Sequence, residues 1–201
     1  MSKSGKLEST SLQNQESPAG NSASEFDRLI AENQHLQTRI AELENQVDLD
    51  GLTGLLNRQA FERELVRAIS YAQRHQLEAC LLYIDVDGFK AINDAFGHAA
   101  GDAALRNITS ALMTNIRQSD LAGRLGGDEF GAFLLHAGSE DGATKAAMLS
   151  DLITGTPLSQ GPHTFYARVS IGVAPLIDGD TGASLMERAD MAMYDQKRQS
   201  A

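Results

Sequence analysis

Asp85 closes an apolar run, Cys80-Leu81-Leu82-Tyr83-Ile84, and a helical pattern begins a few residues later at Phe89. Backbone N–H groups at a helix start favour phosphate. A carboxylate delivered there can hold a divalent cation over the phosphate, because Mg²⁺ takes one or two carboxylates and fills its shell with phosphate oxygens. Lys90 can neutralise charge developing on a transferred group. Asp87 is expected to cap the helix rather than bind metal. A second cluster lies in Arg124-Leu125-Gly126-Gly127-Asp128-Glu129-Phe130. The glycines read as a tight turn through conformations costly for other residues. Asp128 and Glu129 then stand side by side, and a bound cation relieves their repulsion; the other reading makes them solvated turn residues. A third cluster is Asn93, His98 and Asp102. Asn offers a donor and an acceptor, and Asp accepts two N–H bonds. That pair matches guanine, whose N1–H and N2 amine need an acceptor and whose N3 or O6 needs a donor. The alternative makes Asn93 a turn cap, Asp102 a helix cap and His98 a structural histidine.

These groups need a scaffold, and the chain has the means to build one. It has 201 residues, of which 42% are hydrophobic, an ordinary content for a protein that buries a core. The net charge of −10 argues against binding nucleic acid, which needs a basic footprint, but leaves room for a nucleotide held through a metal. Cys80 is the one cysteine, expected to be a buried strand thiol. No apolar stretch resembles a signal peptide or is long enough to span a bilayer, so the expected location is cytoplasmic with no membrane contact.

Residues 1–23 are polar and read as a disordered tail. From Ser24, a candidate helix cap, Phe26, Leu29, Asn33, Leu36, Ile40, Leu43 and Val47 recur at spacings of three and four. This is the a/d seam of a parallel coiled coil, with Asn33 as the polar a-position that fixes register. The seam predicts a homodimerisation stalk over 24–49 rather than an amphipathic helix packed on its own domain. From 50 to 201 the patterning predicts one α/β (α+β) domain with a mixed, helix-covered sheet. Helices are expected over 57–74, 89–96, 102–116, 140–153 and 183–197, strands over 79–84 and 163–174, and a hairpin from 121–125 to 130–135.

Taken together, Asp85, Asp87, Phe89, Lys90, Asn93, Asp94, Gly97, His98, Gly101 and Asp102, followed by Gly126-Gly127-Asp128-Glu129-Phe130, resemble the GGDEF domain of diguanylate cyclases. Asp50-Gly51-Leu52-Thr53-Gly54-Leu55-Leu56-Asn57-Arg58 looks like that family's opening motif. Ser170-Ile171-Gly172-Val173-Ala174 and Ala189-Asp190-Met191-Ala192-Met193-Tyr194 resemble its late motifs. The likeness covers about 150 residues, an ordinary domain. It implies a ferredoxin-like fold similar to nucleotidyl cyclases and the polymerase palm.

The resemblance also implies roles. Asp85, the Val86 carbonyl, Asp128 and Glu129 would bind Mg²⁺ or Mn²⁺. Asp128 stands where the family's proton acceptor is usually placed and Glu129 where a metal ligand is, and the split between them stays open. Lys90 would stabilise the transition state. Asn93 and Asp102 would read guanine, with His98 and Phe89 beside them, and Lys197 would contact phosphate. The family commonly carries an arginine four residues after that lysine; Ala201 stands there, with Arg198 as a nearby substitute. Arg117-Gln118-Ser119-Asp120 resembles the RxxD site where product binds and inhibits; the other reading is a surface Arg–Asp pair. The implied activity joins two GTP molecules into cyclic di-GMP, in a dimer, with a possible regulatory protein on the stalk or tail. The alternatives are a catalytically silent module that binds GTP or cyclic di-GMP, and a coiled-coil adaptor.

Overall fold

The computed structural model describes residues 19–44 and 48–200, with side chains over 25–37 and 48–199. The chain divides into two units, Met1–Gln46 and Val47–Ala201. In the first, α1 is a single helix of 26 residues, Ala19–Glu44. It begins ahead of Ser24, which therefore lies inside the helix rather than at its cap. Phe26, Leu29 and Leu36 of the expected seam are 65%, 59% and 53% exposed. The rest of the expected tail, residues 1–18, and Val47 lie outside the described residues, as do the side chains of Ile40 and Leu43.

The second unit runs β1 (Leu56–Asn57), α2 (Arg58–Arg74), β2 (Ala79–Val86), α3 (Phe89–Phe96), α4 (His98–Asn115), β3 (Leu121–Arg124), β4 (Glu129–Leu135), α5 (Ser139–Gly155), β5 (Leu158–Gln160), β6 (His163–Phe165), β7 (Val169–Pro175) and α6 (Gly182–Ser200). Five strands form one sheet in the order β1-β3-β4-β2-β7, and β5 pairs with β6 separately. Only the β1–β3 pair in the sheet is parallel; the neighbouring pairs are antiparallel. Without β1, the strand–helix–strand–strand–helix–strand order of β2, β3, β4 and β7 is that of the ferredoxin-like fold.

The unbroken apolar run of β2 has a simple cause: helices cover both of its faces. Cys80, Leu82, Ile84 and Val86 join one core cluster with Leu105, Ile108, Leu149 and Ile153 of α4 and α5. Leu81 and Tyr83 join the other, with Phe61 and Leu65 of α2 and Leu185 and Ala189 of α6. Side chains alternate along a strand, so Asp85 shares the face of Leu81 and Tyr83. Two close approaches set the helices on that face. A Cβ at Gly123 or Gly131 would fall within 3 Å of Phe61, so its ring lies directly on β3 and β4. A Cβ at Gly172 would stand 2.1 Å from both the Ala189 carbonyl and the Met193 nitrogen, so α6 rests backbone to backbone on β7.

Several expected boundaries shift. The helix expected from Asp102 starts at His98, because Gly97, at φ 83°, turns the chain straight from α3 into α4. Asp102 therefore lies within a helix and does not cap one. The strand expected over 163–174 breaks after Phe165, whose ring stacks on Phe96 of α3 at 5.0 Å and is held off the main sheet.

Candidate active site

At one end of the sheet, β4, β2 and β7 bring Glu129, Asp85 and Ser170 into register as direct cross-strand partners. All three fall on the face packed by α2 and α6. The Asp85 side chain is only 14% exposed, and Lys197, on the last turns of α6, forms a hydrogen-bonded ion pair with it. Burial raises the Asp85 pKa, and the charges of Asp128 and Asp87 push the same way; Lys197 offsets this only in part. Burial works to lower the Lys197 pKa, but its bond to Asp85 outweighs that and raises it. The cluster thus carries more negative charge than one lysine balances, which is the donor chemistry a divalent cation requires. Among the described residues, no group of three or more His, Cys, Asp or Glu side chains is placed to hold a metal ion by itself. Two carboxylates in register and a carbonyl suit a cation that fills its shell with phosphate oxygens.

The acidic turn is held from three sides. The Val86 N–H donates to the Asp128 carbonyl at 3.1 Å, fixing the turn to the end of β2. The Arg58 guanidinium donates to the Leu125 carbonyl at 3.4 Å. Arg124 donates to the Gly127 carbonyl at 2.7 Å and to both Asp50 carboxylate oxygens at 3.2 Å. Asp50 is itself held by the N–H and hydroxyl of Thr53, at 2.9 and 2.6 Å. Burial works to raise the Asp50 pKa, but the Thr53 bonds and the Arg124 charge outweigh it and hold it below the ordinary 3.8. The glycines act differently from expectation. Neither Gly126 nor Gly127 has a positive φ. Gly126 is needed because the Glu129 carboxylate lies over it, with Oε2 2.4 Å from where a Cβ would stand. Burial, then the charge of Glu129, raises the pKa of the neighbouring Tyr83 phenol.

Asp87 does not cap α3. That place belongs to Gly88, at φ 66°, and no side chain caps the helix. The Asp87 carboxylate instead accepts from the buried Ser170 hydroxyl at 2.7 Å. Lys90 lies exposed in the first turn of α3. Asn93 packs where α3 meets α4: a Cβ at Gly101 would stand 2.2 Å from its Oδ1 and 3.1 Å from the Phe89 ring. The structure so brings Asn93, Phe89 and the residue before Asp102 together. Asp102 faces Arg106 at 3.9 Å, and His98 is exposed at the start of α4.

Away from this end, Asp120 accepts from the N–H groups of Arg117 and Leu135, at 2.8 and 3.1 Å. The Arg117–Asp120 link runs through the Arg117 backbone, and the Arg117 side chain is exposed. Both residues border clefts of about 450 and 290 Å³. Cys80 is fully buried, and burial pushes its thiol up to about 11.

Sequence reasoning named Asp50 and Arg124 but did not pair them, gave Ser170 only as part of a late motif and Tyr83 only as part of an apolar run, and missed Gln196, whose Oε1 accepts from the Ile171 N–H at 2.5 Å. The signal for Asp50 and Arg124 was present, an acid and a base opposite in charge, but 74 residues apart.

Comparison with known proteins extends the picture. The chain is 40% identical over 183 residues to the diguanylate cyclase TpbB of Pseudomonas aeruginosa, a stretch covering 88% of this chain and 42% of TpbB. It thus spans less than half the length of that curated relative. Among solved structures it is similar to the coiled coil and GGDEF domain of DgcB from Caulobacter crescentus in complex with c-di-GMP. The TM-score is 0.73 at 30% identity, covering 88% of this chain and 94% of that one. It is also similar to the diguanylate cyclase SiaD of Pseudomonas aeruginosa, solved with its activator SiaC. There the TM-score is 0.72 at 30% identity, covering 89% of this chain and 69% of SiaD. The family model described as "Diguanylate cyclase, GGDEF domain" matches residues 47–201, the span of the sheet and all the carboxylates above, and the chain belongs to that family.

Proposed function

We propose that the chain is an active diguanylate cyclase that condenses two GTP molecules into cyclic di-GMP and two pyrophosphates. The observation that carries this reading is Asp85 and Glu129 in register on one face, with the Asp128 carbonyl bonded to the Val86 N–H. A divalent cation, Mg²⁺ or Mn²⁺, bound by Asp85, the Val86 carbonyl and the acidic turn, would polarise the phosphate oxygens. Asn93 and Asp102 hold guanine, with Phe89 and His98 bordering it. Lys90 lies over the phosphates and balances charge as it develops. Lys197, released from Asp85, turns to the phosphates. The 3′-hydroxyl of one GTP attacks the α-phosphorus of the other. Its proton passes to Asp128 or Glu129, the new phosphodiester forms and the bond to pyrophosphate breaks. A second such step closes the ring.

Each domain holds one GTP, so two copies must face each other, and the α1 seam keeps them together. Arg117 and Asp120 bind product and slow turnover. A regulatory protein acts on the stalk or the preceding tail; SiaD with its activator SiaC supports control of this kind. The substrate is drawn from the cytoplasm, and no helix among the described residues is long and apolar enough to cross a membrane.

The test is incubation of the purified chain with GTP and Mg²⁺, and in parallel with ATP, with products identified by mass. Cyclic di-GMP and pyrophosphate are expected from GTP alone, and neither from a variant carrying Asp128→Asn and Glu129→Gln with unchanged circular dichroism. Near-normal turnover by that variant, or equal use of ATP, overturns the assignment.

A further inference from the structure

A nucleoside triphosphate brings several negative charges to a chain whose own net charge is −10. The cations near the end of β2 therefore decide how it is held. Lys197 is engaged by Asp85. Lys90 sits in the first turn of α3. A third cation comes from a segment that no sequence motif singled out. Arg168 lies between β6 and β7, one residue before Val169, the register partner of Val86. Its carbonyl accepts the Asp87 N–H at 2.9 Å, so its backbone adjoins the loop that leads into α3.

The direction of its side chain follows from its neighbours. Phe165, Ala167 and Val169 are buried in the cluster on the α4 and α5 side. Arg168 alternates with them and is exposed. The alternation of β7, extended back by one residue, sets Arg168 on the side of Ser170 and Asp85. Ser170 holds the nearby Asp87 carboxylate at 2.7 Å. Among the described residues no hydrogen bond or ion pair holds the Arg168 guanidinium. A guanidinium left unpaired beside a helix start, next to a carboxylate cluster, is placed for a phosphate, which its planar fork grips with two parallel bonds.

We propose that Arg168 is a substrate-positioning residue that holds the outer phosphates of GTP in the site of its own domain. This rests on the reading of the chain as a GTP-using enzyme. Where the resemblance expects an arginine four residues after Lys197 the sequence has Ala201, and Arg168 supplies the charge from the segment that leads into β7. Exposure makes the side chain dispensable for folding, which keeps its replacement informative.

The experiment measures binding to the full chain by calorimetry, with Mg²⁺ present. The probes are 3′-deoxy-GTP, which cannot react because it lacks the attacking hydroxyl, and 3′-deoxyguanosine, which carries the base without phosphates. Arg168→Gln should weaken 3′-deoxy-GTP about tenfold, leave 3′-deoxyguanosine unchanged and leave the melting temperature unchanged, while Arg168→Lys recovers part of the loss. Equal weakening of both probes would overturn the proposal in favour of a structural role. Unchanged 3′-deoxy-GTP affinity with a lowered kcat would overturn it in favour of a contact made across the dimer. An unmodified chain that binds no 3′-deoxy-GTP overturns the GTP-using reading together with the role of Arg168. In the other outcomes the unmodified chain binds, so the two failures are distinct.

Discussion

A methyl group on Gly126 would stand 2.4 Å from Glu129 Oε2, whereas one on Gly127 meets nothing within 4 Å. The two glycines of the acidic turn therefore have separate uses. At Gly126 the obstructed atom is the end of a flexible side chain, so the carboxylate can swing aside at little cost to the fold. In the proposed reaction, displacing the Glu129 carboxylate by about an ångström costs on the order of a hundredfold in rate. Gly126→Ala should therefore lower kcat on that scale with a nearly unchanged melting temperature, and Gly127→Ala should keep most activity. Steady-state kinetics with thermal melts on both variants checks this; equal activities would show that Glu129 does not depend on the space over Gly126. Asp85 belongs to the same scale. Its alternation along β2 was legible in the sequence, but its ion pair with Lys197 was not, because the two are 112 residues apart.

Between elements, Arg124 joins the end of β3 to the segment before β1, through Asp50, and to the turn, through the Gly127 carbonyl. It holds the place where the chain enters the domain against the place where the carboxylates stand. Arg124→Ala should cost about 1–2 kcal/mol at neutral pH, as for a charge-assisted bond at a partly buried site. The Asp50 pKa is lowered in the folded state, so the stability it contributes is complete above its ordinary 3.8 and lost as pH falls through the lowered value. Urea unfolding of Arg124→Ala and the unmodified chain should give stabilities that converge as pH falls through the carboxylate range. A gap that stays constant would mean Arg124 acts through packing alone. The seating of α6 on Gly172 is a second device of this scale, since it carries Lys197 to Asp85.

At the scale of the whole molecule, one domain assembles half of the proposed reaction. Phe26, Leu29 and Leu36 are more than half exposed in the single chain, as a seam awaiting a second copy would be. Tethering raises the effective concentration of the two domains. Specific activity should rise with enzyme concentration, and Leu29→Glu with Leu36→Glu should lower it most at high dilution. Sedimentation run beside the assay checks the link. A monomeric variant with undiminished activity on dilution would separate the stalk from catalysis.

The sequence by itself determined what depends on neighbours along the chain. Burial on both faces makes β2 one apolar run, the hairpin announces itself through its turn, and α2 and α6 follow from apolar periodicity. The order of carboxylates and lysine was likewise readable, since Asp85, Lys90 and the acidic turn sit at the end or start of a periodic segment, whereas Asn93 and Asp102 lie inside α3 and α4. Tertiary structure decided the rest. The two residues of β1 are too few to carry a period, and β6, inside the strand expected over 163–174, pairs with β5 rather than continuing into the main sheet. Asp87 turned from a helix cap to a partner of Ser170, 83 residues away, because an antiparallel pairing put β7 beside β2. Such contacts are fixed by which strands lie side by side, and local patterning holds no record of that.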